Sequence, residues 1–159
     1  MPDIFVDGLD GQARKKSVDV LNACVAETIA LRLSVKQAHW NLKGSGFIGV
    51  HELLDDVSAR LGESTDTMAE RAVILGGFAR GTLEVVIETA EMDAYPVEEN
   101  DITAHIKALK DRFLSVGKKV RKGIDEAGDA GDEDTADVLT EVSRALDKDA
   151  WFIGANAPT

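Results

Sequence analysis

Apolar side chains recur every three or four residues through four long stretches, separated by glycine, proline and aspartate clusters. The first stretch runs from about Gln12 to Asn41 and ends near Gly44-Ser45-Gly46. The second begins near Phe47 and continues to Leu75, where the pair Gly76-Gly77 stops it. The third starts after Tyr95-Pro96, near Asn100 or Asp101, both good N-cap types. It carries Ile102, Ile106, Leu109, Phe113, Val116, Val120 and Ile124, spaced by alternating fours and threes. A turn rich in glycine and aspartate, Gly128 to Asp134, leads to the last stretch, about Asp134 to Gly154. There Val138, Val142, Ala145 and Ile153 mark one face. Four amphipathic helices in one chain predict an all-α four-helix bundle. The long connection between the second and third, Gly76 to Glu99, can run the length of the bundle and carry a short helix around Leu83 to Thr89. One domain is expected over residues 1–159, with short tails at 1–11 and 155–159.

The second helix has two faces. At about 100° per residue, Val50, Leu54, Val57, Leu61, Met68, Ala72 and Leu75 fall within roughly 60° of one another and form the core seam. His51 with Asp55, and Asp66 with Glu70, occupy a second stripe about 100° wide, well away from that seam. Fifteen residues separate His51 from Asp66, so the two pairs lie about 22 Å apart along the axis. They share a face and cannot share a metal within one chain. A second copy of the helix, antiparallel about a two-fold axis, brings His51 and Asp55 of one chain beside Asp66 and Glu70 of the other, twice per dimer. Ala59, Gly62 and Ala69 lie on the same stripe and leave room for that helix. Glycine inside a helix costs about 1 kcal/mol relative to alanine, so Gly62 is either simply tolerated or serves a close crossing.

Composition adds the surroundings. Hydrophobic residues make up 44% of the 159, enough for a sizeable core, and aromatics only 5%. The single cysteine, Cys24, lies in an apolar stretch and reads as a buried, inert thiol, in keeping with a reducing compartment. No signal peptide or membrane span is visible, and a cytoplasmic protein is expected. The net charge of −11 attracts cations and repels phosphate backbones unless a local basic patch overrides it. His39 ends the first helix and Trp40 follows it. Imidazoles and carboxylates without cysteine suit Fe(II), Zn(II) or Mn(II) and argue against a structural zinc site. An intrachain di-iron site needs Glu-x-x-His, but Lys36, Ile48 and Ile102 stand three residues before His39, His51 and His105. His105 lies beside the seam of the third helix and reads as a surface histidine.

Lys36-Gln37-Ala38-His39-Trp40-Asn41, then Phe47, His51-Glu52-Leu53-Leu54-Asp55 and Asp66-Thr67-Met68-Ala69-Glu70-Arg71 resemble the signature of the Dps family of miniferritins. His51, Asp55, Asp66 and Glu70 follow His39 by 12, 16, 27 and 31 residues, as that signature requires. The similarity continues through Leu75-Gly76-Gly77, Ala94-Tyr95-Pro96, Asp134-Thr135-Ala136-Asp137 and Leu146-Asp147-Lys148 to Trp151-Phe152. The resemblance implies a hollow homododecamer with ferroxidase centres at its dimer interfaces. His39, His51 and Asp55 would come from one subunit, and Asp66 and Glu70 from its partner. It further implies oxidation of Fe(II), preferentially by hydrogen peroxide, and storage of the ferric mineral. Trp40 would then quench stray oxidising equivalents, or serve packing alone. Asp129, Asp132, Asp134 and Asp137 are candidates for iron-uptake pores, with an N-cap role the alternative for Asp132 or Asp134.

The chain departs from many members of that family near its start. Asp3, Asp7 and Asp10 stand there without lysine or arginine, and Arg14-Lys15-Lys16 is the nearest basic cluster. Strong DNA binding is therefore not expected, which disfavours a nucleoid-compacting role. A non-catalytic divalent-metal buffer would use the same ligand types. Asp149-Ala150 before Trp151 replaces a bulkier apolar residue common in the family, a change read as affecting packing.

Overall fold

In the computed structural model, which describes residues 2–158, five helices follow in order: α1 (Gly11–Asn41), α2 (Phe47–Ile74), α3 (Leu83–Thr89), α4 (Ile102–Asp129) and α5 (Glu133–Gly154). Local chemistry sets the helix starts. The side chains of Asp10, Asp101 and Asp132 accept hydrogen bonds from first-turn N–H groups of α1, α4 and α5, replacing partners that a helix start lacks. α2 stops at Gly76, whose φ of +84° favours glycine. A Cβ on Gly77 would sit 2.5 Å from Val18 Cγ1, so the stop also lets the chain cross close to α1.

α1 packs against α2 and α4, and α5 against α4 and α2, closing a four-helix ring with α3 laid on α1. The short α1–α2 and α4–α5 turns make antiparallel neighbours. α4 must then run parallel to α2, so residues 75–101 span the bundle's length before α4 begins. A bridge between Lys43 and Asp101 fastens the end of that crossover to the α1–α2 turn: Lys43 N–H donates to Asn100 O and Ile102 N–H to Lys43 O. Every predicted seam residue of α2 is buried, among Leu21, Leu31, Leu109, Phe113 and Leu146 from the other helices.

Two expectations need correction. The buried face of α5 carries Leu139, Val142, Leu146 and Ile153, while Val138 and Ala145 are only half-buried at its edge. Each of those two positions precedes an apolar neighbour, so the pattern admits two registers one residue apart, and packing selects the second. His105 is not a surface residue. It is 1% exposed: its Nε2–H donates to Glu99 O at 3.0 Å, and its Nδ1 accepts from the Tyr95 hydroxyl at 2.7 Å.

Two internal ion pairs join α2 to α5. Arg60 meets the buried Asp149 carboxylate through Nε and Nη2, at 3.0 and 2.6 Å, so Asp149 carries an ion pair and not merely a packing change. Arg71 donates to Asp132 Oδ1 at 2.9 Å and to Thr135 Oγ1 at 3.0 Å. Burial pushes the Asp132 carboxyl up, but hydrogen bonding from Thr135 first, then Ser17 and Arg71, outweighs it and holds the group below its ordinary 3.8. A depressed carboxyl stabilises the fold above its unfolded pKa, and the contribution is lost as pH falls through the folded value. Acid unfolding is therefore expected to shift to higher pH in Asp132→Ala. At neutral pH the same substitution is expected to cost about 3 kcal/mol, because Arg71 is left largely buried without its partner. Urea titrations across pH measure both; an unchanged acid midpoint would exclude this role.

Candidate metal centre

α1 delivers His39 from its last turn and α2 delivers His51 from its first, so the tight turn between them sets the two imidazoles side by side. The rings stack with centroids 3.8 Å apart and planes 16° from parallel. Their anchoring is reciprocal. His39 Nδ1 donates to the carbonyl of His51 at 2.8 Å, and His51 Nδ1 donates to the carbonyl of His39 at 2.9 Å. A carbonyl only accepts, so each Nδ1 carries the hydrogen, and in the neutral ring each Nε2 is left with a lone pair. Backbone carbonyls fixing the tautomer are the usual support for metal-ligating histidines. Phe47 packs its ring on His51, centroids 5.0 Å apart, and fixes the outer side of the stack.

Asp55, one turn beyond His51, brings Oδ1 to 3.7 Å from His39 Nε2. The same oxygen accepts from Lys36 Nζ at 2.6 Å. That hydrogen bond, with the positive charge of Lys36 behind it, holds Asp55 below the ordinary carboxylate range. Any cation approaching Asp55 Oδ1 competes with Lys36. Sequence reading gave Lys36 no role, although its i,i+3 relation to His39 already places both on one face of α1.

Asp66 and Glu70 are exposed on the same side of α2 and, among the described residues, form no ion pair or side-chain hydrogen bond. α2 is unbroken between the two pairs, so their separation stays at about 22 Å. Within one chain, no group of three or more metal-ligating side chains is assembled among the described residues. What lies between the pairs is an open groove of ≈ 920 Å³, floored by Ala59, Gly62 and Ala69 and flanked by Leu33, Trp40 and Asp66. Leu33 is 51% and Trp40 66% exposed, so Trp40 is not packed in this chain's core; Lys36 Nζ lies 5.6 Å from its ring. A Cβ on Gly62 would come within 3.1 Å of the Arg32 guanidinium, the far end of a flexible side chain.

Known proteins match both the sequence and the fold. The Ferritin family, described as a ferritin-like domain, matches residues 18–157. A DNA protection during starvation protein of Agrobacterium fabrum is 46% identical over 148 residues, covering 93% of this chain and 91% of the relative. A Mycobacterium smegmatis Dps crystallised in a tetragonal form superposes with a TM-score of 0.93 at 31% identity, covering 100% of this chain and 96% of that one. DpsA14 from Streptomyces coelicolor gives the same TM-score at 32% identity, covering 99% and 94%. The chain belongs to the Dps family. As in those relatives, the architecture is helical throughout, a ferritin-like bundle with its short extra helix in the crossover.

In this Dps-family chain the four aspartates proposed for pores divide. Asp132 is buried and committed to capping α5 and to Arg71, which removes it from a pore surface. Asp129, Asp134 and Asp137 remain exposed around the α4–α5 turn.

Proposed function

We propose that this Dps-family protein is an iron-storing ferroxidase that oxidises Fe(II), preferentially with hydrogen peroxide, and holds the ferric product inside a homododecamer. The observation that carries the reading is the reciprocally anchored His39–His51 pair, with an Nε2 lone pair left on each ring and Asp55 beside that of His39. His39, His51 and Asp55 of one subunit would hold Fe(II) together with Asp66 and Glu70 of a second copy across the groove. Two neutral imidazoles limit the negative charge that three carboxylates bring, and the carboxylates favour the ferric product. Two Fe(II) each give up one electron, the peroxide O–O bond breaks, and two protons complete two waters. Two-electron reduction in one place releases no hydroxyl radical. Trp40, exposed in the groove, would donate an electron when a one-electron oxidant escapes.

The proposed setting is the cytoplasm. Among the described residues no helix is long and apolar enough to cross a membrane, and Cys24 is a free, buried thiol that desolvation pushes up to about 12. The test is anaerobic loading with Fe(II) followed by peroxide, monitored for Fe(III) and by spin trapping for hydroxyl radical. The proposal requires rapid Fe(III) formation with little radical. Slow oxidation, or radical yields equal to those of free Fe(II), would favour a metal buffer.

DNA binding is expected to be weak. The basic cluster is internally engaged: Arg14 donates to Leu9 O, Lys15 pairs with Asp19, and Lys16 pairs with Glu126. With a net charge of −11 per chain, phosphate contacts face strong repulsion. A gel shift that persists as salt is raised to physiological levels would overturn this.

A further inference from the structure

The contact between half-buried Tyr95 and buried His105 has chemistry that the iron site does not use. His105 Nε2 faces the Glu99 carbonyl, which only accepts, so Nε2 carries the hydrogen and Nδ1 is the basic nitrogen. The Tyr95 hydroxyl therefore donates to Nδ1, at 2.7 Å, with the two rings 8° from parallel. Burial pushes the phenol well above its ordinary value, so it does not ionise at neutral pH. The Arg112 guanidinium lies 4.7 Å from the Tyr95 ring centroid and opposes positive charge on that ring. Loss of an electron alone is thus disfavoured, whereas loss of an electron with the hydroxyl proton leaves the ring neutral. The Glu99 carboxylate, held by the N–H groups of Asn100 and Asp101, stands near the phenol.

We propose that Tyr95 and His105 form a one-electron donor pair, in which an oxidant takes an electron from the phenol as its proton moves to His105 Nδ1. The O–H bond breaks, an Nδ1–H bond forms, and the electron reduces the oxidant. The product is a neutral phenoxyl beside an imidazolium whose two N–H groups already face acceptors, the phenoxyl oxygen and Glu99 O. No atom other than the proton has to move far, which is the preorganisation such a transfer requires. Fe(II) restores the pair by supplying one electron while the proton returns from His105, leaving Fe(III). The pair lies at the iron-site end of the bundle: the bridge through Lys43 ties residues 100–102 to a peptide one helical turn beyond His39. The physiological oxidant, hydroxyl radical reduced to hydroxide, rests on the proposed iron chemistry; the proton-coupled step does not.

Tyr95 is the only tyrosine in the chain, so any phenoxyl signal reports this pair. The full-length, iron-free protein is oxidised with azide radicals by pulse radiolysis, and the phenoxyl is followed by optical absorption and electron paramagnetic resonance. A phenoxyl is expected whose rate does not depend on the concentration of buffer base. In His105→Gln the amide oxygen still accepts the phenol's hydrogen bond but takes up no proton, and formation should slow by about a hundredfold. Tyr95→Phe should lack the signal. Equal rates in His105→Gln and wild type, or oxidation that ends on Trp40 and Trp151 without a phenoxyl, would contradict the pair. If His105→Gln does not fold, wild type alone decides: a rate that rises with buffer base means the proton leaves to solvent. Because no iron is present, failure here leaves the ferroxidase reading standing. A phenoxyl with azide radicals but none with Fe(II) and peroxide removes only the assigned oxidant.

Discussion

His51→Ala is expected to lower peroxide-driven Fe(II) oxidation by at least about a hundredfold, since loss of a supporting partner alone costs up to that much at metal sites. Asp66→Ala should do the same, although it lies about 22 Å away along α2. The two substitutions act through different faces of one proposed centre. Deleting His51 removes one of the two Nε2 lone pairs and also leaves the His39 carbonyl without its donor, so the surviving imidazole loses part of the stack that orients it. Deleting Asp66 touches nothing in its own chain, because Asp66 makes no contact there that the fold needs. Its melting temperature should therefore match wild type while its activity does not. Equal activity in either variant, measured as Fe(III) absorbance after anaerobic loading, would remove that residue from the site.

Ala59→Arg should separate the subunits and silence the chemistry together. Ala59 is exposed on the groove floor, so the isolated chain has room for the larger side chain and should keep its helix content. In a two-fold interface the change occurs twice, and each arginine enters a space shaped for small residues beside the Arg32 guanidinium over Gly62. Steric overpacking and an unpaired charge on both sides should cost about 3 kcal/mol, roughly a hundredfold in dimer affinity. Analytical ultracentrifugation should then show monomer at concentrations where wild type is assembled, with iron oxidation lost in parallel. A variant that stays assembled and active would place the interface elsewhere.

The parts legible in the sequence are those that repeat at helical spacing. The α2 seam from Val50 to Leu75 and the polar stripe beside it both follow from 3.6 residues per turn, and the seam is buried throughout. The α5 register was ambiguous because Val138-Leu139 and Ala145-Leu146 each offer two apolar choices, and only contact with α4 and α2 selects between them. The burial of His105 is hidden from the sequence for a different reason. Its partners Tyr95 and Glu99 belong to a crossover without periodicity, and nothing local announces a hydrogen bond from there. The Arg60–Asp149 pair spans 89 residues and left no pattern at all. At the candidate centre the helical spacing puts His51 with Asp55 and Asp66 with Glu70 on one stripe of α2, and α2 runs unbroken between them. The crossed backbone anchoring of His39 and His51 was not legible, because it depends on the exit angle of the α1–α2 turn.

Each proposed centre is divided between two copies of the chain, and mixed dimers test that division most directly. An Asp66→Ala chain co-assembled with a His51→Ala chain should keep one centre intact, built from the first chain's histidines and the second chain's Asp66. The other centre should carry both lesions. Iron oxidation per mixed dimer should recover to about half that of wild type, since one of two equivalent centres survives, while each parent variant alone stays inactive. Mixed dimers as inactive as their parents would contradict a shared centre.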